Sequence, residues 1–64
     1  MRMDLAAYLQ NYESVELVMQ NGKKIRGYIR GIADDGVLID EDRDDGELVF
    51  VKYDEVALAE GKKL

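Results

Sequence analysis

The side chains able to do chemistry in this 64-residue chain are cations, carboxylates and phenols, because it holds no histidine and no cysteine. That removes disulfides, thiolate and imidazole catalysis and the common zinc sites. What remains is charge set beside rings. Lys23, Lys24, Arg26 and Arg30 surround Tyr28 in a stretch, residues 19–31, that contains no acid. Guanidinium groups flanking an aromatic suit phosphates and stacked bases. The plainer reading of Arg26, Tyr28 and Arg30 is a solvated strand face whose arginines pair with acids on neighbouring strands. Lys52–Tyr53 is a second cation–aromatic pair, or else an ordinary pair of turn residues. The acids of "DEDRDDGE", residues 40–47, invite a calcium loop, which takes glycine at its sixth position and glutamate at its twelfth. Counted from Asp40, Gly46 comes seventh and Val51 twelfth, so the register fails and a solvated acidic turn is expected. The remaining carboxylates also fall in turns, away from the burial that raises a pKa for acid–base work. No enzyme, metal site or cofactor is expected.

The charge is unevenly placed. The net charge is −5, yet residues 21–32 carry +4 and residues 33–55 carry ten acids against Arg43 and Lys52. An anionic ligand would have to be bound locally. Hydrophobic residues make up 47 % of the chain, enough for a folded domain, and residues 1–64 are read as one. No apolar run approaches the roughly 18 residues of a membrane span. No segment reads as a signal peptide, and a cytoplasmic location is expected. A domain this short has a marginal core, so support from a second copy is the first expectation.

The elements that must hold these residues can be read from periodicity. Asp4 is placed to cap a helix over about 4–12, with Leu5, Tyr8, Leu9 and Tyr12 as its apolar stripe. From Glu13 the period becomes two. Val15, Leu17 and Met19 face one way, Asn21–Gly22 makes a hairpin turn, and Ile25, Gly27 and Ile29 lie opposite Arg26, Tyr28 and Arg30. The alternation slips at Gly31–Ile32, which predicts a bulge or bend. "VLID", "ELVFVK" and "VALA" supply three more short strands, to about residue 59, and residues 60–64 read as a fraying polar tail. In Leu48, Val49, Phe50 and Val51, and in Val56, Ala57 and Leu58, both strand faces lack charge. An exposed apolar edge of this kind is a template for pairing with another chain, so these seven residues are the candidate subunit interface. The other reading has the N-terminal helix covering them.

The order of these features resembles the Sm/LSm family and its Hfq-like branch. The resemblance rests on Val15, Leu17, Met19, Asn21, Gly22, Ile25, Gly27, Ile29 and Ile32, then Val37, Leu38 and Ile39, and on "VFVKYDEVALA" at residues 49–59. It implies a mainly β fold: a short N-terminal helix, then a strongly bent five-stranded antiparallel Sm-like (SH3-like) barrel over about 14–59. It also implies a homo-oligomeric ring, joined through the fourth and fifth strands, that binds single-stranded RNA without catalysis. In the loop after the second strand, Ala33, Asp35 and Val37 stand where the family has an aspartate, an aromatic or large hydrophobic residue, and often asparagine. Lys52 and Tyr53 correspond to the family's basic loop pair. The candidate RNA-binding residues are therefore Lys52, Tyr53, Asp35, Arg26, Tyr28 and Arg30.

A rival from another class remains open. Asp35 and the acids after residue 33 fit a structural or scaffolding ring without RNA. The absence of threonine, proline and tryptophan, with Ser14 the one serine, also fits a designed small barrel that has no ligand.

Overall fold

The structure is a computed structural model that describes residues 4–42 and 45–63. One short helix, α1 (Leu5–Leu9), precedes five strands: β1 (Ser14–Met19), β2 (Lys24–Ile32), β3 (Gly36–Glu41), β4 (Leu48–Lys52) and β5 (Val56–Lys62). All strand pairs are antiparallel, in the spatial order β4-β3-β2-β1-β5.

Asp4 caps α1 as its position predicts, its Oδ1 accepting from Ala7 N at 3.2 Å. The helix stops at Leu9, short of Tyr12. There the Asn11 side-chain amide donates to the carbonyls of Ala7 and Tyr8 at 3.4 and 3.3 Å, satisfying groups that another turn would have used. Leu9 is buried, and the Tyr8 hydroxyl accepts from Gly61 N at 2.9 Å. The helix is thereby fastened to the far end of β5.

Period-two alternation sets the core. Val15, Leu17 and Met19 of β1, Ile25 of β2, Val37 and Ile39 of β3 and Val51 of β4 are buried together with Leu9. The β1–β2 turn differs from a two-residue Asn-Gly hairpin. Gly22 takes φ +89°, while Asn21 keeps a negative φ and accepts from Lys23 N through its side chain at 2.9 Å. Met19 N donates to Lys23 O and Gly22 N to Met19 O, at 2.8 and 2.9 Å, which spreads the reversal over three residues. Gly27 allows a close approach: a Cβ there would lie 2.8 Å from Glu41 Cα and overlap the Asp40 main chain. The predicted slip is present, as the β2–β3 register shifts between Ile29 and Gly31. A second shift, between Val18 and Met19 against β5, leaves Ala57 as the extra residue.

Two expectations need correction. β5 continues through Glu60, Gly61 and Lys62, each paired with β1, so residues 60–62 belong to the sheet and not to a fraying tail. The sheet is also open, with β4 and β5 as its edges. After the 3-10 turn Tyr53–Glu55 the chain enters β5, which pairs with β1 and not with β4. Among the described residues, no helix is long and apolar enough to cross a membrane.

Candidate functional site

The six candidate ligand-binding residues fall on two separate surfaces. Lys52, Tyr53 and Asp35 lie at the end of the molecule where β4 turns into β5. The turn is built tightly. Tyr53 N donates to Asp35 O at 3.1 Å and the Tyr53 hydroxyl to Ala33 O at 2.7 Å, so one residue grips both sides of the β2–β3 turn. Gln20 holds the other flank, giving its backbone N–H to Glu55 O at 2.9 Å and its side-chain amide to Asp54 O at 2.8 Å. Tyr53 is half-buried and its ring packs against the core. Burial, with the charges of Asp4, Asp35 and Asp34 after it, pushes the Tyr53 hydroxyl above its ordinary pKa of 10.0.

Beside this turn lies an open cleft of about 850 Å³. Its floor is apolar, formed by Leu5 and by Val56 to Ala59 of β5, and Asp4, Asp34, Asp35 and Asp54 stand around it. Among the described residues no three carboxylates converge to hold a metal ion, so these aspartates act as separate rim charges. Together they give the cleft a negative field that opposes phosphate. Lys52 is exposed next to it. The structure thus brings Asp35 and Tyr53 together through main-chain contact, while using Tyr53 as a structural tie.

Arg26, Tyr28 and Arg30 project from the outer face of β2, all exposed. Arg30 reaches across to Asp40 on β3, with Nη2 and Nε at 3.2 and 3.4 Å from Oδ2, and its Cζ lies 5.9 Å from the Tyr28 ring centre. This is the arginine–acid pairing that the plainer reading of the strand face predicts. Glu16 stands opposite Arg26 across the β1–β2 ladder. A depression of about 400 Å³ beside Arg26 is shared with Ser14, Tyr28, Asp42 and Lys62, and none of its lining residues belongs to the acidic cleft.

The candidate interface residues are the third surface. Leu48, Phe50 and Leu58 are 60 %, 50 % and 67 % exposed on the two edge strands, whereas Val51 is buried and Val49 and Val56 are half-buried. The chain matches no family model, no curated protein and no solved structure. Function therefore has to be argued from these three surfaces.

Sequence reasoning missed Gln20 as the second clamp of the Tyr53 turn, and Asp4, Asp34 and Asp54 as rim charges. Asp4 had a signal only as a helix cap. Gln20 had none, since its partners are main-chain carbonyls 34 and 35 positions away.

Proposed function

We propose that this chain is an Sm-like subunit whose function is self-assembly, a bent, barrel-like sheet that closes its edges only by joining copies into a ring. The observation that carries this reading is the strand order β4-β3-β2-β1-β5. It makes edges of the two strands that bear Leu48, Phe50 and Leu58, the large apolar side chains left exposed besides Tyr28 among the described residues. Each copy then offers one β4 edge and one β5 edge, and head-to-tail pairing around a closed ring leaves neither free. Light scattering on the purified chain tests it: a discrete oligomer of several subunits is expected, and a monomer at about 0.1 mM, well above a micromolar dissociation constant, refutes it.

Single-stranded RNA is the second reading. It is favoured by the open side of Arg26 and Tyr28 on β2, repeated around such a ring, and not by the aspartate-rimmed cleft. Titration with oligo-U and oligo-A at low salt is expected to show binding that weakens steeply as salt rises and that Arg26→Ala diminishes more than Lys52→Ala. Absence of binding at micromolar protein would leave a purely structural ring.

A further inference from the structure

Of the two asparagines in the chain, Asn11 precedes Tyr12 and Asn21 precedes Gly22. The residues of the β1–β2 reversal, Asn21, Gly22 and Lys23, are all exposed. Nothing lies within 4 Å of the point where a Gly22 Cβ would stand, so water reaches the turn freely. Two bonds nevertheless occupy its reactive groups: Gly22 N donates to Met19 O at 2.9 Å, and Lys23 N donates to Asn21 Oδ1 at 2.9 Å. We infer that Asn21 is a site of spontaneous deamidation that the closed turn holds shut, and that its isoaspartyl product unlocks the β1–β2 hairpin.

The reaction begins when Gly22 N loses its proton to solvent and attacks Asn21 Cγ. The new N–Cγ bond closes a succinimide ring, the Cγ–Nδ2 bond breaks, and the leaving nitrogen takes a proton from solvent and departs as ammonia. Water then opens the ring. Attack at Cγ gives aspartate; attack at the main-chain carbonyl carbon of residue 21 gives isoaspartate, in which the chain runs through Cβ and Cγ. The net exchange is one ammonia for one water. Glycine suits the step because no Cβ crowds its nitrogen. In the closed turn, attack has to release the Gly22 N–H from Met19 O and the Asn21 amide from Lys23 N. Since the turn is exposed, these bonds and not burial are the restraint. The reaction therefore runs through the opened hairpin, at a rate proportional to the open fraction.

The two products have different consequences. Aspartate leaves the backbone unchanged and offers Lys23 N a carboxylate oxygen in place of the amide oxygen, a charge-assisted bond. It takes one unit from the +4 of residues 21–32. Isoaspartate adds a backbone carbon between Met19 and Lys23, within the loop that Met19 N closes on Lys23 O at 2.8 Å and Gly22 N on Met19 O. It also draws the side-chain acceptor of Lys23 N into the main chain. The neighbouring residue is Gln20, whose main-chain and side-chain N–H groups hold Glu55 O and Asp54 O at 2.9 and 2.8 Å. Unlocking the hairpin thus loosens the β4–β5 turn as well.

Peptide mass mapping of the chain aged at mildly alkaline pH, with and without urea, tests the inference. In urea, Asn21 should exchange ammonia for water at least about tenfold faster than Asn11, whose successor is bulky. Without urea, Asn21 should react at least about tenfold more slowly than in urea. Asn21→Asp should unfold at the parent's urea concentration. The isoaspartyl chain, separated from the aged sample by chromatography, should unfold at a lower one. An Asn21 no faster than Asn11 in urea overturns the site. A folded chain that reacts as fast as the unfolded one means that the Lys23 N–H activates the amide, and overturns the restraint. An isoaspartyl chain as stable as the parent, or Asn21→Asp as unstable as the isoaspartyl chain, overturns the unlocking by the added backbone carbon. None of these outcomes depends on assembly or on RNA.

Discussion

Tyr53 and Tyr28 make the instructive comparison. Each is an aromatic close to a cation in the sequence, and each is a reasonable platform for a base. In the fold they diverge. Tyr53 spends its hydroxyl on Ala33 O and its main-chain N–H on Asp35 O, and sets its ring against the core, among three aspartates. Tyr28 is 41 % exposed, with Arg30 over its ring. An aromatic beside a cation becomes a candidate site only once its hydroxyl, its ring and the surrounding field have been accounted for. By that standard the cleft end of the molecule is structural and acidic, and the open face of β2 is the part still available to an anion.

Alanine substitution should separate the two most strongly. Tyr53→Ala removes a half-buried ring and leaves Ala33 O without its side-chain donor, which should cost about 2–3 kcal/mol in urea unfolding. For a domain of this size that is most of the stability available. Tyr28→Ala should cost less than about 0.5 kcal/mol, as expected for an exposed strand residue whose neighbour Arg30 keeps its partner Asp40. Equal losses at both positions would erase the distinction between a tie and an open face.

The comparison also shows where the sequence is informative. Alternation placed the buried residues of β1 and β2 on the correct face, because a period of two leaves no freedom once one residue is buried; β4, apolar on both faces, gave no such sign for Val51. Asp4 and Gly27 were legible for the same kind of reason, one as a cap before an apolar stripe and the other as a glycine on an inward strand face. The extent of β5 was not. Glu60, Gly61 and Lys62 look like a polar tail until Tyr12 packs on the bare Cα of Gly61 and the Tyr8 hydroxyl meets its N–H. Those contacts join residues about fifty positions apart, and local composition carries no trace of them. The open sheet was also hidden, since closure depends on where a three-residue turn sends the chain. The acidity of the cleft was half legible: the acids of residues 33–55 can be counted, but Asp4 joins them only through the fold.

The alkaline limb of stability gives a smaller and finer test of the same contrast. The Tyr53 hydroxyl has its pKa raised in the folded chain, first by burial and then by Asp4, Asp35 and Asp34. The folded state therefore holds this proton more tightly than the unfolded chain does. Its contribution is fully present below the unfolded pKa of 10.0, and is lost as pH rises through the higher folded value. Tyr53→Phe should lower stability at neutral pH by about 1 kcal/mol, the worth of one hydrogen bond. It should also flatten the fall in stability above the unfolded pKa. Tyr12, beside Tyr8, is shifted in the same direction, so Tyr12→Phe is the control that apportions the slope. Tyr28→Phe should leave the neutral stability unchanged, as its hydroxyl lies on an exposed strand face. If Tyr53→Phe leaves both the neutral stability and the alkaline slope as they were, the Tyr53 hydroxyl is not what ties the β4–β5 turn to the β2–β3 turn.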